Sequence, residues 1–166
     1  NRSPHLPNYS WFRHETQNEF KVDYENSFLV LPDGKTIVGV DGSDLKKLMI
    51  EDITRGNPSQ IGTHDDWIQI VLFNSLTQSL LVWDFDGHVK QYKKVKGSFT
   101  MVKDYGNVGV GEVLSSTIVG RFAIFGGNNH SLFVIDIYEQ EVCKERLKSP
   151  FECTTSLQVC ESMDSN

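Results

Sequence analysis

A pattern of paired apolar runs recurs three times along the chain at nearly constant spacing. The copies read TIVGVDGSDLKKL, LLVWDFDGHVKQY and IFGGNNHSLFVI, and they cover residues 36–48, 80–92 and 124–135. In each copy a short apolar run precedes a cluster of Gly, Asp, Asn or Ser, and a second run then begins with an aliphatic residue. Those aliphatic residues lie 44 and 43 residues apart, and they are Leu45, Val89 and Leu132. Self-similarity of this length indicates a repeat architecture in which each unit packs against the next.

Each copy has the residue chemistry of an antiparallel β-hairpin. The first runs, 37–40 and 80–83, are apolar throughout, which is typical of strands buried on both faces of a sheet. The second runs alternate between two faces, as expected of strands nearer solvent. We expect the intervening residues to supply the positive φ angles of tight turns, namely Asp41-Gly42, Asp86-Gly87 and Asn128-Asn129.

Further strand candidates flank every hairpin. They cover residues 26–35, 66–73, 98–102, 109–114 and 141–147. Four short antiparallel strands in roughly 44 residues is the period of a propeller blade. The sequence therefore predicts an all-β fold, a β-propeller with about three four-stranded blades and part of a fourth. The predicted units are an N-terminal extension or closing strand at 1–22, blades at 23–60, 61–103 and 104–148, and the start of a further blade at 149–166.

An incomplete ring of blades would expose large apolar faces at both ends of the stack, because each blade buries its two faces against its neighbours. We therefore expect this chain to be a portion of a larger propeller. The remaining blades would be supplied by the same chain or by another one.

Three stretches of the chain resemble the WD-repeat family of β-propellers. Gly62-Thr63-His64 is similar to the Gly-His pair of that family, which precedes the inner strand of a blade. Residues 28–40 resemble the inner strand, turn and second strand, and residues 86–92 resemble the turn aspartate, the third strand and its terminal aromatic residue. The resemblance implies a hydrogen-bonded pair, His64 with Asp86, that ties the loop to the sheet.

The resemblance is degenerate and covers roughly residues 24–160. The Trp-Asp pair at 83–84 lies on the second strand and not at the signature position that ends the third strand. That position holds Leu48-Met49, Tyr92-Lys93 and Ile135-Asp136, so only Asp136 matches the signature. The residues thus favour a propeller more strongly than a WD-repeat protein in the strict sense.

The composition of the chain argues against nucleic acid and membranes as binding partners and suggests a cellular compartment. The formal net charge is −6, which argues against binding to nucleic acid because that affinity depends on neutralising phosphates. No apolar run approaches the roughly 20 residues that cross a bilayer, so we expect no membrane partner. The cysteines, Cys143, Cys153 and Cys160, are odd in number and widely spaced, which suits a reducing compartment. We expect an intracellular protein, cytoplasmic or nuclear.

No catalytic or metal-binding group emerges from the spacing of the polar residues. The turn Asp84-Phe85-Asp86-Gly87 resembles the opening of a calcium loop, but the next residues offer no acidic ligands, so it reads as a hairpin turn. We predict no metal site and no cofactor. If the protein were an enzyme, carboxylates near the propeller axis would carry the chemistry, and the candidates are Asp23, Asp65, Asp66 and Glu112.

The leading functional hypothesis is a scaffold for protein–protein interaction, acting as a subunit of a larger assembly. Propellers present loop-rich ends that tolerate the variation partners require. The candidate partner contacts are two aromatic residues near the N-terminus and four lysines of the third strand and its following turn: Trp11, Phe12, Lys90, Lys93, Lys94 and Lys96. The alternative is a hydrolase of the glycosidase type that uses the axial carboxylates. The enzyme question stays open, with the scaffold favoured.

Overall fold

β-Strands form all of the regular structure in the computed structural model, which describes residues 28–108, 113–127, 131–143 and 147–148. No helix occurs in those ranges, so none of them holds a helical segment suited to crossing a membrane. The prediction of an all-β fold is confirmed. The strands are β1 (Phe28–Val30), β2 (Thr36–Val40), β3 (Lys47–Asp52), β4 (Ser59–Thr63), β5 (Ile68–Asn74), β6 (Ser79–Asp84), β7 (His88–Val95), β8 (Ser98–Asn107), β9 (Val113–Val119), β10 (Phe122–Gly127), β11 (Ser131–Asp136), β12 (Glu141–Val142) and β13 (Leu147–Lys148).

The strands assemble into three antiparallel sheets in which neighbours along the chain are neighbours in the sheet. Sheet 1 contains β1–β4, and sheet 2 contains β5–β8. Sheet 3 contains β9–β11, and β12 and β13 both pair with β11 at opposite ends, so that together they occupy the place of a fourth strand. The predicted hairpins are confirmed as the β2–β3, β6–β7 and β10–β11 pairs.

Sheets 1 and 2 end a few residues later than the first two predicted blades, at Thr63 and Asn107. Gly62 pairs with Leu48 of β3, so Ile61–Thr63 belongs to sheet 1, whereas the sequence placed these residues at the start of the second blade. Sheet 2 begins at Ile68 and continues to Asn107, because β7 and β8 pair along eight positions despite two register shifts in their ladder. The repeating sequence motif and the sheet are therefore offset from each other along the chain.

The predicted turn at Asp86-Gly87 is confirmed, and Gly34 in the β1–β2 turn has the same kind of backbone conformation. Gly34 and Gly87 have φ angles of 71° and 85°, the left-handed region that glycine occupies without a steric cost. Gly42 does not have a positive φ, so the prediction for Asp41-Gly42 is wrong. The β2–β3 connection is a longer loop, in which the Asp41 carboxylate accepts hydrogen bonds from the N–H and the hydroxyl of Ser43. The predicted turn at 128–129 lies outside the described residues.

Sheet 2 lies between the other two sheets and packs against both. All six residues of β6 are buried, and the alternation of a strand sends Leu80 and Val82 towards sheet 1 and Leu81 and Trp83 towards sheet 3. The prediction that residues 80–83 are buried on both faces is confirmed. The core between sheets 2 and 3 centres on Trp83, whose ring centroid lies 4.4 Å from that of Phe125.

Three amide side chains of sheet 2 reach across to backbone carbonyls of the chain segment that forms sheet 3. Gln69 Nε2 donates to the Val113 carbonyl at 2.6 Å, and Asn74 Nδ2 donates to the Gly120 carbonyl at 2.6 Å. Buried Gln91 donates to the Ile137 carbonyl at 3.2 Å and accepts a hydrogen bond from the Tyr105 hydroxyl. Each donor and acceptor are 44 or 46 residues apart, close to the repeat spacing. Because such bonds require matched positions, they fix how sheet 3 lies on sheet 2.

Gly62 allows β4 of sheet 1 to approach Tyr92 of sheet 2. A methyl group at residue 62 would lie 2.8 Å from the Cε1 atom of Tyr92 and closer still to its hydroxyl oxygen. Tyr92 is 2% exposed and is packed among core residues, so its ring has little room to move. The glycine of the Gly-Thr-His motif is therefore a packing requirement between two sheets.

We predict that Gly62→Ala lowers the free energy of unfolding by about 1–3 kcal/mol, the usual effect of overpacking a core. Urea denaturation of the wild type and the variant measures this difference. The Tyr92→Leu background is the matched control, because removing the ring should reduce the cost of Gly62→Ala in a double-mutant cycle. A Gly62→Ala variant as stable as the wild type would show that the sheets do not approach this closely.

Candidate interaction surface

Three chain connections meet at one end of sheets 1 and 2, and we call this region the Trp67 end. It consists of residues 41–46, 64–67 and 85–87. Backbone hydrogen bonds tie the connections together: His64 N–H to the Lys46 carbonyl at 2.8 Å, Ile68 N–H to the Leu45 carbonyl at 2.9 Å, and Phe85 N–H to the Trp67 carbonyl at 2.9 Å. Loops that are bound to one another in this way present their side chains in fixed positions.

A buried histidine–aspartate pair anchors the Trp67 end from inside. His64 Nδ1 lies 3.1 Å from Asp84 Oδ2, and the two side chains are 0% and 1% exposed. The other carboxylate oxygen of Asp84 accepts the backbone N–H groups of Asp86 and His88, both at 3.0 Å. Asp84 therefore joins the link before β5 to the β6–β7 turn.

The predicted partner of His64 was Asp86, and the structure corrects this to Asp84. Asp84 is the last residue of β6, paired with Ile68 at the start of β5, and its side chain points into the turn that it closes. Asp86 lies at the tip of the same turn and is exposed. Both carboxylate oxygens of Asp84 thus accept hydrogen bonds from groups of the protein. Residues 84–87 form a hairpin turn, which these bonds stabilise.

Burial lowers the pKa of His64 below its ordinary value, although the hydrogen bond with Asp84 acts in the opposite direction. The neutral ring then donates its Nδ1–H to Asp84. The Nε2 atom is buried and has no hydrogen-bond partner, which a neutral imidazole tolerates better than a charged one. His64 is therefore a structural side chain, because a reactant could not reach it without opening the loop.

A second histidine–aspartate pair lies next to the first one and nearer to solvent. His88 Nε2 contacts Asp104 Oδ1 at 2.5 Å, and the His88 ring stands at 79° to the His64 ring with centroids 6.3 Å apart. Partial burial raises the pKa of Asp104, but the hydrogen bonds from Gly106 N–H and His88 outweigh it and lower the pKa. In the described part of the chain, no group of three His, Cys, Asp or Glu residues is placed to hold a metal ion.

Two large aromatic side chains project from the Trp67 end into solvent. Trp67 is 50% exposed and Phe85 is 40% exposed. The sequence placed Trp67 on a strand, but β5 begins one residue later, at Ile68. The backbone N–H of Trp67 donates a hydrogen bond to the Asp66 carboxylate at 2.8 Å. Phe85 occupies the first position of the β6–β7 turn. Half-exposed aromatic residues on a rigid support are typical of binding hot spots.

The predicted site residues fall in three places. Asp65 and Asp66 lie side by side at the Trp67 end. Lys93, Lys94 and Lys96 are exposed at the opposite end of sheet 2, whereas Lys90 is half-buried and its ammonium group donates to the Thr63 carbonyl at 2.7 Å. Lys90 is thus engaged within the protein. Four further candidates lie outside the described residues: Trp11, Phe12, Asp23 and Glu112.

Sequence reasoning missed both exposed aromatic residues. The signal was present in the turn composition, because Phe85 stands between two aspartates in a segment that otherwise contains only turn residues. Trp67 follows two aspartates in the same manner. A bulky aromatic residue inside a polar turn has no core to enter, so both residues could have been predicted to lie at the surface.

Comparisons with known proteins bear on the fold and not on the function. No protein-family model and no curated protein sequence matches the chain, so the WD-repeat resemblance stays a prediction. The crystal structure of the computationally designed Ika8 protein is similar, with a TM-score of 0.64 at 14% identity over 82% of this chain. That of the designed Ika4 protein is similar with a TM-score of 0.57 at 14% identity, covering 76% of this chain and 75% of Ika4. The chain spans 40% of the length of Ika8.

We predict that His64 makes stability fall between about pH 7.5 and about pH 5.5. Its pKa is lowered in the folded state, so as the pH drops through about 6.5 the unfolded chain binds a proton that the folded chain does not. The free energy of unfolding should then decrease by up to about 1.4 kcal/mol per pH unit. Urea denaturation across this range tests it.

The comparison variant for this titration is His64→Gln, which retains a donor for Asp84 and does not titrate. We expect its stability to be lower than that of the wild type at neutral pH and to change less with pH. An equal pH dependence in the two proteins would show that His64 does not carry the effect.

Proposed function

We propose that this protein is a protein–protein interaction module with propeller-like blades, acting as a subunit of a larger intracellular assembly. Three sheets of sequentially connected antiparallel strands that stack face to face support the blade interpretation. The similarity to Ika8, of which this chain spans 40%, is consistent with further sheets beyond these three.

The outer sheets have apolar residues on the faces that point away from sheet 2. In sheet 1, buried Ile37 contacts Met49 and Ile53 in a cluster separate from the two main cores. In sheet 3, Ile124 and Val134 pair across strands and alternate with Ala123 and Phe125, which face sheet 2. A sheet that is apolar on both faces favours a stack that continues in both directions. The proposed occupants of these faces are further blades from this chain or another one.

The observation that carries the interaction proposal is the exposure of Trp67 and Phe85 on mutually bonded loops. Flexible loops lose conformational freedom when they bind, whereas these two residues are already held by the Phe85–Trp67 backbone hydrogen bond and by the His64–Asp84 pair behind them. Their combined aromatic area can be buried by a partner at a low entropic cost. The proposed scaffold therefore binds its partner at the Trp67 end.

The hydrolase alternative gains no comparable support. Asp65 and Asp66 are adjacent in sequence, and Asp66 caps the Trp67 N–H, so the two carboxylates do not face each other across a substrate cleft. A groove of about 590 Å³ between sheets 1 and 2 lies at the opposite end, and residues of both charges line it, including Lys35, Glu51 and Asp52. The two described carboxylate candidates, Asp65 and Asp66, do not line this groove.

We predict that the double substitution Trp67→Ala and Phe85→Ala removes at least one binding partner without unfolding the protein. Exposed side chains contribute little to stability, while aromatic hot spots each contribute about 2 kcal/mol or more to binding. Affinity purification of tagged variants from cells that naturally express the protein, followed by mass spectrometry, measures the change.

Leu76→Ala is the matched control, because Leu76 is 70% exposed and lies in the β5–β6 turn at the opposite end of sheet 2. It should retain the partners that the double variant loses. Recovery of the same partners by all three proteins, each with a wild-type melting temperature, would contradict the assignment of the Trp67 end as the binding surface.

A further inference from the structure

We propose that the partner segment bound at the Trp67 end is a basic peptide, which packs apolar surface against Trp67 and Phe85 and places Arg or Lys side chains on the surrounding carboxylates. This inference rests on the proposed interaction function and specifies the chemistry of its partner. It is carried by the exposed aromatic pair together with the charge of the loops that present it.

The charge of the Trp67 end is strongly asymmetric. Residues 41–46, 64–67 and 85–87 contain five aspartates and one lysine, in a chain whose acidic and basic residues otherwise nearly balance. Asp65 and Asp86 are both exposed: Asp65 lies two residues before Trp67, and Asp86 directly follows Phe85. In the part of the chain that the structure describes, neither carboxylate is held by a hydrogen bond or an ion pair.

The cations near this end neutralise it only in part. Lys47 is paired with Asp44 at 3.7 Å, and Lys90 is directed to the Thr63 carbonyl. Lys46 is exposed and is the one lysine within the three segments, against five aspartates. The carboxylates of Asp65 and Asp86 therefore stay available to a partner, and so does the part of the Asp66 carboxylate that is not bound to Trp67 N–H.

The combination of groups selects a particular class of partner. Negative charge repels acidic peptides and nucleic acid and accelerates the encounter with a basic segment. The aromatic faces of Trp67 and Phe85 add to this preference, because an aromatic ring attracts a cation through its quadrupole and packs against the aliphatic stem of Lys or Arg. Arg is favoured over Lys where it can bind one carboxylate with two hydrogen bonds.

Selection from a library of random peptides displayed on phage tests the inference with the full-length protein. Peptides are selected on the wild type and depleted on the Trp67→Ala, Phe85→Ala variant, so that the remaining sequences depend on the aromatic pair. We expect enrichment of Arg and Lys beside an apolar residue. A synthetic peptide of the enriched sequence should bind more weakly at about 0.5 M than at about 0.05 M NaCl, since salt screens exposed charges.

Charge-neutralised variants give the decisive comparison. Asp65→Asn with Asp86→Asn should weaken the binding of the enriched peptide by about three- to tenfold at low salt, as expected for two exposed charge pairs. Glu139→Gln with Glu141→Gln removes the same charge from the exposed β11–β12 region and should leave the affinity unchanged.

Each result separates the two proposals. Neutral or acidic peptides that still require Trp67 and Phe85 would overturn the basic-partner inference and leave the interaction function standing. Peptides that bind the wild type and the aromatic double variant equally would overturn the Trp67 end as the binding surface. Equal effects of the two charge-neutralised variants would show a general effect of net charge and would also overturn the inference.

Discussion

The burial of sheet 2 on both faces is the constraint on which the rest of the structure depends. Leu80–Trp83 carries apolar side chains to both sides of one strand, and each fully buried side chain of this kind contributes about 1.5–3 kcal/mol relative to an exposed one. No single neighbouring sheet could cover both faces. Sheets 1 and 3 are therefore required on either side. The sequence repeats at about 44 residues because each repeat forms one of these stacked sheets.

Polar contacts determine how the stacked sheets are placed. Hydrophobic burial is non-directional, so it would allow one sheet to slide on the next. Gln69, Asn74 and Gln91 prevent this between sheets 2 and 3, because each must find a particular carbonyl. Between sheets 1 and 2, the close approach of Gly62 to Tyr92 and the bonds of the 64–68 link have the corresponding effect. These contacts also hold the Trp67 end in place, which explains why two half-exposed aromatic residues can have fixed positions there.

Much of the architecture could be predicted because it depends on local patterns. The apolar run at 80–83 and the Asp86-Gly87 turn both indicate their structure without reference to distant residues, and the strands and hairpins follow. The partner of His64 could not be chosen in this way. Asp84 and Asp86 flank the same phenylalanine, and only the direction of each carboxylate in the folded turn decides between them. Trp67 was missed for a related reason, since a tryptophan beside an alternating apolar run looks like a strand residue until the strand is seen to begin at Ile68.

Hydrogen–deuterium exchange of the β6 amides tests the central claim most directly. Strand β6 is covered on both faces and paired with β5 and β7 on both edges, whereas β4 is a short edge strand with mostly exposed or half-buried residues. The account predicts that β6 amides exchange only through global unfolding and are among the slowest in the protein, while β4 amides exchange through local opening. Exchange of β6 at the rate of β4 would contradict the placement of sheet 2 between two others.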